Sequence, residues 1–220
     1  MQIVWSVKGG VGVTVVAASL AAGWARRDGG AVLVDLCGDA PAVLGVPEPS
    51  GPGVRDWLAA PDTAPGALAR LVVPVADGLS LLPRGASTAG RTASRVAELA
   101  DELVALGGHV VVDAGRRDAA SGVADDDLVA ALCRRGRSLM VTRACYLALR
   151  RAVSAGATAD GVVLVTEPGR CLDRRDVTDV LSLPVLAEVE LDPAVARSVD
   201  AGLLTRRSHR VLERSLRELW

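Results

Sequence analysis

Val7-Lys8-Gly9-Gly10-Val11-Gly12-Val13-Thr14 is the stretch that decides the fold. It follows Gln2-Ile3-Val4-Trp5-Ser6-Val7, an apolar run that reads as a strand. It precedes an alanine- and valine-rich stretch that reads as a helix over 14–27. Strand, glycine-rich turn and helix in that order form the setting in which a chain wraps a phosphate. Gly9, Gly10 and Gly12 allow unusual backbone angles and let N–H groups approach an anion. The start of the following helix adds its positive end, and Thr14 stands where a hydroxyl reaches Mg²⁺. Lys8 is the only lysine; the other 24 of the 25 basic residues are arginine. Exposed positions accept either cation, so a lysine kept here marks a place for a compact point charge on a thin stem.

Working outward, short aliphatic runs alternate with helical stretches. Strands are expected over 2–7, 31–35, 79–83, 109–113, 137–142, 161–166 and 184–190. Helices are expected over 14–27, 91–106, 123–135, 146–155, 173–181, 193–201 and 205–219. Ala31-Val32-Leu33-Val34 and Val110-Val111-Val112 are continuous apolar runs, as suits strands buried on both faces. The alternation predicts a three-layer α/β/α fold around a mostly parallel central sheet of seven to eight strands, in one domain over residues 1–220. Pro41 to Gly66 breaks the rhythm with six prolines and four glycines, and reads as irregular with a short helix near Val54–Ala60.

Composition narrows the function classes. Half of the 220 residues are hydrophobic, there is no Phe and only one Tyr, so the core is aliphatic. A net charge of −1 gives no general attraction to nucleic acid or membrane. Cys37, Cys133, Cys145 and Cys171 form no CxxC pair, which predicts free thiols and a cytoplasmic setting. The opening strand has no basic stretch before it, so no secretory leader is expected. The apolar run from Val11 to Ala25 falls short of the ~18 residues that span a bilayer.

The loop resembles that of the deviant-Walker-A family of ParA and MinD ATPases, which reads x-K-G-G-x-G-K-[ST]. Further matches spread over most of the chain. Val32-Leu33-Val34-Asp35-Leu36 resembles the family's second strand and the start of switch I. Val110-Val111-Val112-Asp113 resembles the switch II strand, whose aspartate holds Mg²⁺ through water. Leu183-Pro184-Val185-Leu186, followed by Asp192-Pro193-Ala194-Val195 and Asp200-Ala201-Gly202, resembles the last strand and the helix after it. The resemblance implies a P-loop NTPase fold and a homodimer with ATP or ADP and Mg²⁺ as ligands. Lys8, Asp35 and Asp113 would be the catalytic residues, Gly9, Gly10, Val11, Gly12, Val13 and Thr14 the cofactor cradle, and Thr14, Asp35 and Asp113 the metal-holding groups.

Two departures bear on activity. The family's second loop lysine, on the β- and γ-phosphates, is Val13 here. A hydrogen bond to a charged group is worth roughly 1.5–3 kcal/mol, so its loss costs one to two powers of ten in ATP affinity. The second aspartate of the family's D-x-D, which positions the attacking water, is Cys37 here. Together they point to a ParA/MinD-like organiser or scaffold with impaired or absent hydrolysis, in partitioning, division-site or pilus placement. An active ATPase and a nucleotide-free interaction module are the competing readings.

Other features have plainer explanations. Asp125-Asp126-Asp127 reads as the charged start of a helix, and His109 and His209 have no partner at metal spacing. Arg143, Arg150 and Arg151 follow the fifth expected strand, at the sheet edge where ligands bind. Glu167-Pro168 stands where family members often place an adenine-reading Asn. Residues 205–220 combine arginines with Val211, Leu212, Leu216 and Leu219 at helical spacing. A membrane or non-specific DNA contact would use such a face, but Arg197 to Trp220 holds only six Arg against three acids. The expected role is the last helix of the fold, and no protein partner is identified.

Overall fold

The computed structural model describes every residue except Ala89, Arg91, 118–124 and 207–209, and leaves the side chains of Asp125 and Asp126 undescribed. The chain runs β1 (Gln2–Ser6), α1 (Val13–Asp28), β2 (Ala31–Asp35), α2 (Ala40–Leu44), α3 (Val54–Ala59), β3 (Val73–Ala76), β4 (Leu79–Leu82), α4 (Ala93–Ala105) and β5 (His109–Arg116). It continues α5 (Asp125–Cys133), β6 (Arg137–Arg143), α6 (Tyr146–Ser154), β7 (Gly161–Thr166), α7 (Arg174–Leu181), β8 (Val185–Glu190), α8 (Pro193–Asp200) and α9 (Arg210–Leu216). The eight strands form one sheet in the order β3-β4-β2-β5-β1-β6-β7-β8. Every pairing is parallel except β3 with β4.

Alternate residues of the buried strands feed two aliphatic layers. Val4, Leu33 and Val111 point into the layer built with α1, α2 and α9. Ile3, Val34, Val110 and Val112 point into the layer built with α3, α4, α5, α6 and α7. This is the expected three-layer α/β/α arrangement, and each layer excludes water from one face of the sheet.

The differences from expectation are local. β3 is an additional edge strand, joined to β4 by Asp77-Gly78, a two-residue hairpin turn in which Gly78 takes φ 68°. Pro74 is tolerated because β3 lies at the edge of the sheet. α2 is a short helix inside the proline-rich segment, with Pro41 in its first turn, where a missing N–H costs nothing. β5 runs three residues further than expected, to Arg116, and its register with β1 shifts between Val4 and Trp5. The first residue of the expected helix 91–106, the first two of 123–135, and 207–209 of the last helix lie outside the described residues, as does His209. His109 stacks on Trp24 at 3.7 Å and lies 2.7 Å from Asp28 Oδ2.

The C-terminal segment is docked onto the sheet. Leu212, Leu216 and Leu219 are buried. The Trp220 ring lies against α1 where a Cβ at Gly23 would sit 2.2 Å from it, so Gly23 makes room for the indole. Gln2 Nε2 donates to Leu219 O at 2.6 Å, and Arg26 pairs with Glu213 at 3.2 Å. No described helix is long and apolar enough to cross a membrane.

Leu216→Ala empties a fully buried position. It is expected to lower the unfolding free energy by about 2–5 kcal/mol, measured by urea denaturation. A change within about 0.5 kcal/mol would show that α9 is dispensable to the fold.

Candidate functional site

The site sits at the carboxyl ends of the parallel strands, where β1 has β5 on one side and β6 on the other. α1 carries the chain from β1 toward β2, past β5, while β6 lies on the opposite flank. Open α/β sheets bind ligands in the crevice that this reversal leaves.

The glycine loop turns through two left-handed residues, Gly10 at φ 73° and Gly12 at φ 95°, and Gly12 caps α1. Side chains rarely adopt such angles. No atom lies within 4 Å of where a Cβ would stand at either glycine. Among the described residues, no hydrogen bond engages the backbone N–H of Gly9, Gly10, Val11, Gly12, Val13 or Thr14. The loop therefore presents free donors at the N-terminus of a 16-residue helix, which suits an anion. Lys8 Nζ rests 3.4 Å from Gly9 O on its own loop. Val13 faces the other way and is buried in the α1 layer with Val11 and Val16.

Two carboxylates face the loop from neighbouring strands. Asp35 ends β2 and is the register partner of Asp113 on β5. Both are fully buried. Asp35 Oδ1 accepts from Cys37 N at 2.9 Å and Gly38 N at 2.7 Å, and Oδ2 accepts from Ala40 N at 3.2 Å. This carboxylate therefore also ties down the turn into α2. Burial raises its pKa, against the lowering effect of the Gly38, Cys37 and Ala40 N–H groups.

Asp113 Oδ1 accepts from Gly115 N at 3.1 Å, while Oδ2 has no hydrogen-bond partner among the described residues. Burial pushes Asp113 up to about 7; the nearby Thr14 hydroxyl pulls it down and the Asp35 charge adds to the rise. Cys37 lies between the two carboxylates. Its Sγ donates to Asp113 O at 3.7 Å and stands 4.0 Å from Asp113 Oδ1. Burial raises the thiol pKa first, and the Asp113 and Asp35 charges raise it further. A Cβ at Gly115 would meet that sulfur at 2.2 Å, so the glycine in β5 accommodates Cys37.

Thr14 and Asp113 fit a metal-bound nucleotide phosphate. The hydroxyl starts α1 beside the buried carboxylate, and Asp113 Oδ2 is a buried acceptor without a donor. Asp35 completes the group only as far as its three N–H bonds allow.

Cations surround the loop. Arg143, at the end of β6, donates through Nη2 to Gly10 O at 3.0 Å. The Arg116 side chain passes Gly9, and Arg117 stacks over Trp5 at 4.6 Å. Arg150 and Arg151 are exposed on α6, away from these bonds. Glu167 pairs with Arg170 at 2.7 Å at the end of β7. The acidic run at the start of α5 is described only at Asp127, which is exposed.

No protein-family model matches the chain, and no curated protein sequence matches it. Solved structures do. A ParA family ATPase from Chlorobium tepidum TLS is similar with TM-score 0.76 over 98% of this chain and 95% of that one, at 18% identity. The cell division ATPase MinD of Pyrococcus furiosus gives 0.71 over 99% and 97%, at 21% identity. The septum site-determining protein MinD of Pyrococcus horikoshii OT3, complexed with Mg-ADP, gives 0.68 over 99% and 92%, at 19% identity. The chain has the ParA/MinD fold.

Within that fold the structure brings Lys8, Thr14, Asp35 and Asp113 to one edge of the sheet. It gives Arg143 a defined contact at the ligand edge where the sequence reading had placed it, and it adds Gly115, which that reading did not place there. Arg143 appeared only as one of three arginines after a strand, and its bond to Gly10 O depends on the β1–β6 pairing. Gly115 follows Asp113 by two, and its signal is a glycine inside a strand.

Asp113 predicts a pH dependence of stability. Its folded pKa lies above the ordinary value of 3.8, so folding favours the protonated form. Stability is unpenalised below about pH 4, falls as pH rises towards 7, and stays lower above that. In metal-free protein with chelator, Asp113→Asn is expected to gain on the parent by on the order of 2 kcal/mol between pH 5 and pH 8. A difference constant across that range, measured by urea denaturation, would contradict the shift.

Proposed function

We propose that this protein is a ParA/MinD-type spatial organiser or scaffold that binds ATP or ADP with Mg²⁺ and hydrolyses ATP poorly or not at all. The burial of Val13 carries the reading. At the place of the second loop lysine, the side chain belongs to the aliphatic layer and offers the phosphates nothing. The free loop N–H groups, Lys8 and Thr14 support retained binding. Cys37 in place of the water-positioning aspartate supports slow hydrolysis, because a thiol held at raised pKa is a poor proton acceptor. The Mg-ADP complex of one similar structure supports the choice of ligand.

The organiser acts as a homodimer that positions a partner, with partitioning, division-site or pilus placement as the cellular role. The division-protein names among the similar structures support that setting. A working ATPase is the second reading. It is favoured by Arg143, whose guanidinium touches the loop and brings a positive charge that Val13 lacks.

Calorimetric titration of Mg-ATP into the parent, Lys8→Ala and Val13→Lys tests the reading. The parent binds, and Lys8→Ala weakens binding by roughly tenfold to a hundredfold. Val13→Lys tightens binding by a similar factor, because a lysine stem runs along apolar surface and frees its head to the phosphates. It also lowers the melting temperature without nucleotide, since the buried site is overfilled. No heat from any of the three would leave the fold without its nucleotide.

A further inference from the structure

We propose that Asp35, Cys37 and Asp113 form a binding site for a thiophilic divalent cation, of which zinc is the natural probe, that ties the end of β2 and the turn after it to strand β5. One ligand atom from each residue lies within 4.8 Å of the others. The Asp113 carboxylate points independently to a ligand. It is fully buried, and among the described residues one of its oxygens has no hydrogen-bond partner and no arginine or lysine forms an ion pair with it. A buried carboxylate oxygen in that position requires a cation or a proton.

The donor set selects the cation. Mg²⁺ takes oxygen ligands in a near-ideal octahedron and keeps several waters. A thiolate beside two carboxylates favours zinc or a similarly soft ion. Tetrahedral zinc with bonds of about 2.0–2.3 Å places its ligand atoms about 3.5 Å apart. Cys37 Sγ and Asp113 Oδ1 are 4.0 Å apart and all three ligand atoms lie within 4.8 Å of one another, so the separations must shorten by roughly 0.5–1.3 Å to close the site. Asp35 keeps its turn bonds because Oδ2 accepts only one N–H and a carboxylate oxygen has a second lone pair. Gly115 leaves the sulfur its room. On binding, the Cys37 S–H bond breaks, a sulfur–metal bond forms and the proton leaves to solvent.

The site goes beyond the nucleotide reading and needs no nucleotide, so its test is run without any. Metal-free full-length protein is titrated with Co²⁺ and followed by the thiolate-to-cobalt charge-transfer band. The expected result is one ion per chain and a band that zinc abolishes and a thousandfold excess of Mg²⁺ leaves in place. Cys37→Ser removes the band, and Asp113→Asn weakens binding at least tenfold. As a control independent of the folding of Cys37→Ser, a variant with Cys133, Cys145 and Cys171 all changed to serine is titrated too, and it keeps the band. Absence of a band in the parent, its loss in the triple variant, its persistence in folded Cys37→Ser, or displacement by Mg²⁺ overturns the proposal.

Discussion

The close seating of α1 on the central sheet is the constraint on which the rest of the molecule depends. Ten of the 16 residues of α1 are buried, and most of those are alanine, valine or leucine. Small side chains let the helix axis approach the strands, and Gly23 opens one further notch that Trp220 fills. That position fixes both ends of the helix. Its N-terminus emerges at the carboxyl edge of β1 with free N–H groups, and its outer side receives the C-terminal segment. The placing of the loop N–H groups and the closing of the fold are thus two consequences of one packing arrangement.

The same seating explains how Val13 is accommodated at the end of the glycine loop. Residue 13 opens α1 at the boundary between loop and core, and its side chain has an apolar layer to enter. Burial of a valine at that position is worth roughly 1.5–3 kcal/mol. Val13 is thus a core contact at the start of the helix. Opposite the loop, two carboxylates and a thiol are packed between adjacent parallel strands with N–H donors on three of the four carboxylate oxygens. That arrangement keeps the turn after β2 in shape and leaves one acceptor of Asp113 available.

Most of the architecture was legible because the strands are buried on both faces and read as unbroken aliphatic runs. The loop was legible because three glycines and a lysine between a strand and a helix have few other uses. β3 escaped notice although Asp77-Gly78 is a strong hairpin signal, because Val73-Pro74-Val75-Ala76 contains a proline that argues against a central strand. α2 was hidden by the prolines around it, one of which sits in its first turn. The bonds of Asp35 to the turn it precedes, and the fit of Cys37 Sγ over Gly115, depend on the register of β2 with β5. No local pattern encodes that register. The direction of the Val13 side chain depends on φ at Gly12, a backbone angle that sequence does not state.

The central claim is that this loop holds a nucleotide whose γ-phosphate is rarely transferred to water. The most direct measurement is a single-turnover experiment. Protein in molar excess over labelled ATP, with Mg²⁺, is separated from free nucleotide, quenched at successive times and assayed for ATP and ADP. The account predicts that the bound nucleotide is recovered as ATP over many minutes. Bound ADP appearing within the first seconds would contradict it.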